Sequence, residues 1–318
     1  MKKYLQLLIL VTLLSCNSKL PTSDSKPVVG FLDFVEDATL AKARTGFFDA
    51  LNKNGFSEKD STLIVFKSNA NGDIPTLNQA CDYLLSKNVN VLAANTTLAT
   101  ITAVQKTKTV PVCMMVAPRP DIAKLTDDKG NAPANLFGVF ETLEYIDSAV
   151  TLIKTFFPNA KVVGTIYNQS EPQSRDAFAR LEKKAKDLGM TIVSLPVNNS
   201  SETQLVTQSL LQKKPDVFFA LPDNVIFGSF ETVVQSCSDA NVPIFTSEAG
   251  LVVRGALASF GADFYQWGFQ AGEQAATFLK NKSLQTVKPE IVLVRKKIYN
   301  ADVAKKFGVF PDSSFSVN

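Results

Sequence analysis

Five short polar runs, each directly behind an apolar segment, carry the side chains best suited to hold a ligand. They are Val35-Glu36-Asp37, Asn95-Thr96-Thr97, Asn168-Gln169-Ser170-Glu171-Pro172-Gln173-Ser174, Asp223-Asn224 and Ser247-Glu248. The hydroxyls and amides around Thr96 and Thr97 can hold a carboxylate, and carboxylates on other runs can hold a cation, so the set suits a zwitterion. The same residue types are also the preferred helix N-caps. Any one run is equally well explained as a cap, whereas five runs converging on one cleft favour a site. Glu171 and Glu248 are the residue types of a glycosidase pair, but that chemistry depends on a separation that sequence does not give. Phe34, Phe140, Tyr167 and Phe227 lie near the same ends and can pack against an apolar part of a ligand. Most of the 23 phenylalanines must nevertheless be core.

The residues that are missing narrow the chemistry. There is no histidine, which removes Ser-His-Asp and Cys-His catalysis and His-ligated metals. The chain has no GxxxxGK[ST], GxGxxG or GxSxG motif, so neither an enzyme nor a cofactor nor a metal is expected. Cys81, Cys113 and Cys237 lack CxxC spacing and lie in apolar patterns, as small buried hydrophobes do. Cys16 differs. It follows Leu13-Leu14-Ser15 at the end of a short apolar run opened by Lys2 and Lys3, the shape of a secretory signal too short to span a bilayer. A small residue followed by cysteine is the pattern of a bacterial lipobox, so residues 1–16 are read as a signal ending in a lipidated Cys16, an anchor to a bacterial membrane facing the periplasm or cell surface. Residues 17–26 are polar and read as a flexible tether. Lys2, Lys3, Lys19, Lys26 and Asp24 all lie in those two segments and account for the formal +3. The remaining domain is balanced and gives no electrostatic case for nucleic acid. Arg295-Lys296-Lys297 reads as a solvated face.

The elements that must position the polar runs follow an alternating rhythm. Strands are expected over Val28 to Phe34, Leu63 to Ser68, Val89 to Ala94 and Val110 to Val116. A second series covers Val162 to Tyr167, Thr191 to Leu195, Val217 to Leu221 and Pro243 to Thr246. Helices fall between them, at about Thr39 to Asn54, from Pro75, Gln173 to Leu188, Glu202 to Lys213 and Asn224 to Ala240. A tail adds strand Leu257 to Gly261, helix Phe264 to Lys280 and strand Ile291 to Val294. Near-continuous apolar strands alternating with helices predict parallel sheets covered on both faces. Two such series predict an α/β protein of two Rossmann-like lobes, with ligand chemistry beyond the carboxyl ends of the strands.

Several segments in this order resemble the lipoprotein-type substrate-binding proteins of ABC importers, in the branch associated with aromatic amino acids. They are Val29 to Leu51 (VGFLDFVEDATLAKARTGFFDAL), Ile166 to Phe178 (IYNQSEPQSRDAF), Leu221 to Val234 (LPDNVIFGSFETVV), Val252 to Leu279 and Ile298 to Val309. The resemblance runs from about Val28 to Pro311. It implies a periplasmic-binding-protein-like fold of type I with three hinge crossovers. Lobe one is expected over 27–137 plus 261–282 and lobe two over 138–259 plus 286–318. The resemblance further implies a monomer that closes on a small zwitterionic ligand and presents it to a membrane permease. By the same resemblance, the loop with Asn168, Ser170, Glu171 and Ser174 holds part of the ligand, Thr96 and Thr97 meet its carboxylate, and Asp223 beside Asn224 meets its ammonium. Phe34 and Glu36 add contacts, and Glu248 completes the candidate set. Two departures stand out. Gln173 replaces a common Asn, and Ala117-Pro118-Arg119-Pro120-Asp121 replaces a Thr-Asp-Pro-like turn, leaving Arg119 between cleft and solvent. A sensory module with the same fold, or a sugar or nucleoside ligand, remains an alternative.

Overall fold

Each apolar run ends in residues that stop a strand and cap a helix, and this local chemistry sets the architecture. The computed structural model describes residues 26–317; the leader with Cys16 and the tether up to Ser25 lie outside the described residues. The first series forms β1 (Val28–Asp33), β2 (Ile64–Asn69), β3 (Val91–Asn95), β4 (Val112–Met115) and β5 (Leu136–Phe140), joined by α1 (Ala38–Lys53), α2 (Ile74–Ser86) and α3 (Thr97–Lys106). Asp37 caps α1 by accepting from the N–H groups of Thr39 and Leu40, and Asp73 caps α2 through Thr76. The second series forms α4 (Tyr145–Phe156), β6 (Val162–Tyr167), α5 (Pro172–Asp187), β7 (Thr191–Pro196), α6 (Thr203–Leu211) and β8 (Val217–Ala220). It continues through α7 (Asn224–Gly228), α8 (Phe230–Asp239), β9 (Ile244–Thr246), α9 (Ala249–Val253) and β10 (Ala258–Ala262). The tail supplies α10 (Phe264–Asn281), β11 (Pro289–Ile291), β12 (Arg295–Tyr299), α11 (Ala301–Lys306) and β13 (Ser316–Val317).

One six-stranded sheet has the order β11-β5-β4-β3-β1-β2 and one seven-stranded sheet the order β13-β12-β10-β9-β8-β6-β7. Every pairing is parallel except β10 with β12. Chain direction across each sheet reverses at β1/β3 and at β6/β8, the switch points where ligands collect in open α/β sheets. Register brings the strand ends level: Asp33 pairs with Asn69 and Asn95, and Asn95 with Met115. One apolar core, including Leu40, Trp267, Phe264, Phe227 and Ala249, runs through both lobes. Separate clusters lie under α2 and α3 and under α4 and α5. On the first sheet α10 lies hard against α1. A Cβ on Gly268 would fall 1.8 Å from the Ala43 carbonyl oxygen, and one on Gly46 would fall 2.0 Å from that of Tyr265. Only glycine permits that approach, which fixes the height of Trp267.

The structure corrects several expected boundaries. Leu136–Phe140 completes the first sheet and Pro289–Ile291 extends it beside β5, so neither segment belongs to the second lobe. Gly261 and Ala262 pair with β12 in the second sheet. The three crossovers therefore lie after Phe140, after Ala262 and after Ile291, each later in the chain than expected. Arg295-Lys296-Lys297 is not simply a solvated face: it forms the start of β12 and ties the crossovers together. The Arg295 guanidinium donates to both oxygens of buried Glu141 at 2.8 and 3.0 Å, and Lys296 pairs with Asp263. The helix expected from Asn224 to Ala240 breaks at Ser229, whose hydroxyl donates to the Val225 carbonyl at 2.5 Å and so competes with the helical ladder.

Candidate functional site

The loops after β1, β3 and β4 face those after β6, β8 and β9 across the cleft between the lobes, and two chambers lie there. The inner chamber is walled by Thr96, Thr97, Val116, Ala117, Pro118 and Trp267 from the first lobe, and by Gln173, Pro222, Asn224, Phe227 and Glu248 from the second. Leu143, Tyr145 and Phe264 close it on the crossover side. Its free volume is only about 30 Å³, far below the ~300–1,000 Å³ of a small-molecule pocket, so in this state the chamber leaves no room for an amino acid. The outer chamber, about 620 Å³ and open to solvent, is bounded by Phe34, Asn71, Leu98, Asn168, Ser170, Glu171, Asn198, Asn199 and Ser201 among others. Asn224 borders both.

Two acceptors in the inner wall have no hydrogen-bond partner among the described residues. Glu248 is buried, and its Oε1 accepts from the Tyr145 hydroxyl at 2.8 Å and the Ser247 hydroxyl at 3.0 Å, while Oε2 accepts from nothing. Burial pushes its carboxyl up to about 8, against the opposing hydrogen bonds. The Oε1 of Gln173 is likewise buried and unpartnered, its amide being turned to donate to Glu171. Both acceptors come from the second lobe. The facing wall offers the Thr96 and Thr97 hydroxyls at the start of α3, where the first-turn N–H groups have no intrahelical acceptor. Thr96 and Val116 in this wall, and Leu143 on the crossover side, have positive φ, at 105°, 49° and 64°. Left-handed backbone is costly for β-branched residues, and such outliers concentrate at ligand clamps. Aromatic rings complete the chamber. Phe227, Phe264 and Trp267 stand edge to face or tilted at 6.0 and 5.8 Å, and the indole N–H donates to the Val139 carbonyl at 2.8 Å.

The expected site residues divide into three groups. Thr96, Thr97, Asn224 and Glu248 line the inner chamber, and Phe34, Asn168, Ser170 and Glu171 line the outer one. Asp223, Ser174 and Glu36 do neither. Asp223 is expected at the ammonium, but its Oδ1 accepts from the N–H groups of Val225 and Ile226 at 2.9 and 3.2 Å, capping α7. Its Oδ2 accepts from the Asn168 N–H at 2.7 Å and the Ser174 hydroxyl at 2.5 Å, which also engages Ser174. Glu36 is largely exposed and pairs with Arg44 at 3.1 Å and the Asn69 amide at 3.0 Å. Glu171 is buried and takes bonds from the backbone and side-chain N–H groups of Asn224 at 3.2 and 2.8 Å and from Gln173. Burial, then the charge of Asp223, raises its carboxyl well above the usual range. Arg119 turns to solvent and forks onto Asp121 at 2.6 and 2.9 Å. Cys81, Cys113 and Cys237 are buried free thiols, and burial pushes Cys81 up to about 11.

Over residues 28–318 the chain matches the family described as ABC transporter substrate binding protein. It belongs to that family. A relative named tyrosine-binding protein, from Clostridioides difficile strain R20291, is 32% identical over 291 residues, covering 92% of this chain and 84% of the relative. A Streptococcus pneumoniae ABC domain solved with L-Trp aligns at 26% identity with a TM-score of 0.84, covering 92% of this chain and 99% of that one. A ligand-free, open substrate-binding protein with adhesive properties from Clostridium difficile aligns at 28% identity over the same shares, with a TM-score of 0.67. At near-equal identity the lower score goes to the structure described as open. The substrate-binding protein here thus has the two-lobed type I periplasmic-binding architecture. Sequence reasoning missed Trp267, Phe264, Tyr145 and the acceptor of Gln173. A signal for the first three was available, because the crossovers deliver the residues that follow them to the floor of the cleft. Leu143 and Tyr145 follow the first crossover, and Phe264 and Trp267 the second.

Proposed function

We propose that this substrate-binding protein captures an aromatic amino acid by closing its lobes around the zwitterion. The observation that carries the reading is the buried Glu248 carboxylate, with one oxygen unpartnered, in a chamber walled by Phe227, Phe264 and Trp267. An ammonium supplies the donor that Oε2 lacks, and Gln173 Oε1 is a second acceptor for it. The carboxylate then faces Thr96, Thr97 and the first turn of α3. The ring packs on the aromatic wall, with the indole of Trp267 held by Val139. Asn224 borders both chambers and bridges the zwitterion to the polar loop of Asn168, Ser170 and Glu171, while Phe34 covers the outer side. Binding energy comes from contacts made to both lobes at once, which exist only when they are closed. The tyrosine-binding relative and the L-Trp complex support the same ligand class.

A calorimetric and thermal-shift screen of the domain from Lys26 onward tests this reading. L-Trp, L-Tyr and L-Phe should raise the melting temperature, while tryptamine and indolepropionate, each missing one charged end, should bind far more weakly. Stabilisation by sugars or nucleosides alone would overturn it. We further propose that the protein works outside the cytoplasmic membrane as a monomer beside a permease, tethered by lipid on Cys16. A Cys16→Ser variant that stays with the membrane fraction would sink the tether.

A further inference from the structure

Outside both chambers, one arginine of the second lobe reaches across to the first. Arg254 follows α9 and is set within its own lobe before it meets the other. Its Nε and Nη2 donate to Glu231 at 2.7 and 2.8 Å, and Nη2 also donates to the Phe227 carbonyl at 2.9 Å. The guanidinium lies over the Phe230 ring at 5.4 Å. Its remaining Nη1 crosses the interface to Oδ2 of Asp37, with the Thr39 hydroxyl at 3.4 Å. The Asp37 side chain is 0% exposed and that of Arg254 13%. Neither residue lines a chamber.

We propose that Arg254 and Asp37 form an interlobe latch that sets the balance between open and closed lobes, and through it the apparent affinity, without touching the ligand. The inference rests on the reading of the cleft as a trap that closes. Three observations carry it. Arg254 is pre-oriented by Glu231 and the Phe227 carbonyl, so closing the lobes orders little more than the pair itself. Asp37 uses Oδ1 to cap α1 and keeps Oδ2 for the partner lobe, so its geometry is set on that side as well. The surfaces beside the pair meet closely: a Cβ on Gly250 of α9 would fall 2.1 Å from Cγ2 of Thr39. Opening the lobes separates the pair and relieves that contact. Glu248 and Arg254 flank α9, so the chamber wall and the latch move as one short helix.

If the binding-competent state is only a fraction of the population, apparent affinity falls in proportion to that fraction. Asp37→Asn is the cleanest probe, because asparagine caps α1 as well as aspartate does and only the charge pairing is lost. Spin labels on Lys59→Cys and Lys213→Cys, both exposed and on different lobes, report lobe separation with or without a ligand. Asp37→Asn and Arg254→Gln should each shift the distances toward the open form. Each should weaken the amino acid that stabilises the parent by roughly tenfold, mainly through faster release. Their double variant should lose little more than either alone. Gly250→Ala should wedge the lobes apart, and adding Thr39→Gly should restore closure. Parent-like distances in folded Asp37→Asn, or fully additive losses in the double variant, would overturn the latch. If no aromatic amino acid binds while the distances still shift, the proposed ligand fails and the latch stands.

Discussion

Asp223 and Glu248 are buried acids at neighbouring strand ends of one lobe, and they have opposite uses. Asp223 accepts four protein hydrogen bonds, two from the first turn of α7, one from the Asn168 N–H in the β6–α5 loop and one from Ser174 in the first turn of α5. Among the described residues Glu248 accepts two on one oxygen and none on the other, and the free one belongs to a chamber wall. Burial raises the carboxyl of both. The property that separates them is acceptor capacity left over after the fold has taken its share. A satisfied carboxylate holds loops in place, whereas an unsatisfied one is a demand for a cation.

The sharpest way to break that contrast is Glu248→Gln. Glutamine keeps the shape and an acceptor for Tyr145 and Ser247 but removes the charge proposed to meet the ligand's ammonium. Truncating or neutralising one partner of a buried charge pair costs ~2–5 kcal/mol, so calorimetry should find affinity lower by roughly thirtyfold or more. The fold should hold, since no existing protein bond is lost. Affinity within a few-fold of the parent would remove Glu248 from the binding contacts.

The same two acids mark how far the site was legible in the sequence. Apolar strands alternating with capped helices gave nine of the thirteen strands of the described residues, because periodicity and N-cap chemistry are local. β5, β11, β12 and β13 escaped: β5 follows β4 with no helix between them, β11 and β13 are only three and two residues long, and β12 opens on Arg295-Lys296-Lys297, whose charges read as a solvated face. The polar strand ends pointed to the cleft between the lobes, and Thr96, Thr97, Asn224 and Glu248 line its inner chamber. Their division of labour could not be read. Whether Asp223 caps a helix or meets a ligand depends on where Ser174 and the Asn168 N–H lie, and that is decided by packing of one loop on another. Trp267 was hidden for a related reason: its place in the wall follows from the glycine-permitted approach of α10 to α1.

Asp223→Ala breaks the contrast from the other side. Losing the cap costs about 1 kcal/mol, and leaving the Ser174 hydroxyl and Asn168 N–H without their acceptor adds ~1–3 kcal/mol. Urea unfolding should therefore place the variant about 2–4 kcal/mol below the parent, while the folded fraction binds with a smaller loss than Glu248→Gln suffers. Unchanged stability with abolished binding would return Asp223 to the ligand.

The smallest effect lies in the pH dependence, where the sign follows from which state holds the proton. An unfolded glutamic acid releases its proton near 4.5, whereas Glu248 keeps it to about 8 in the fold. Between those values the native state binds more protons, so its contribution to stability is complete below 4.5 and is lost as pH rises through 8. One such group gives a slope of at most about 1.4 kcal/mol per pH unit. Glu171, raised in the same direction, keeps its own slope when Glu248 is replaced. Glu248→Gln should therefore gain on the parent steadily from pH 5 to 8 in ligand-free unfolding experiments and level off above that. With the amino acid bound the sign reverses, because an adjacent ammonium favours the ionised carboxylate. Affinity of the parent should climb over the same interval and release a proton on binding, which calorimetry in buffers of different ionisation enthalpy would detect. A flat affinity profile alongside a falling stability profile would mean that Glu248 titrates in the wall of the chamber without meeting the ligand.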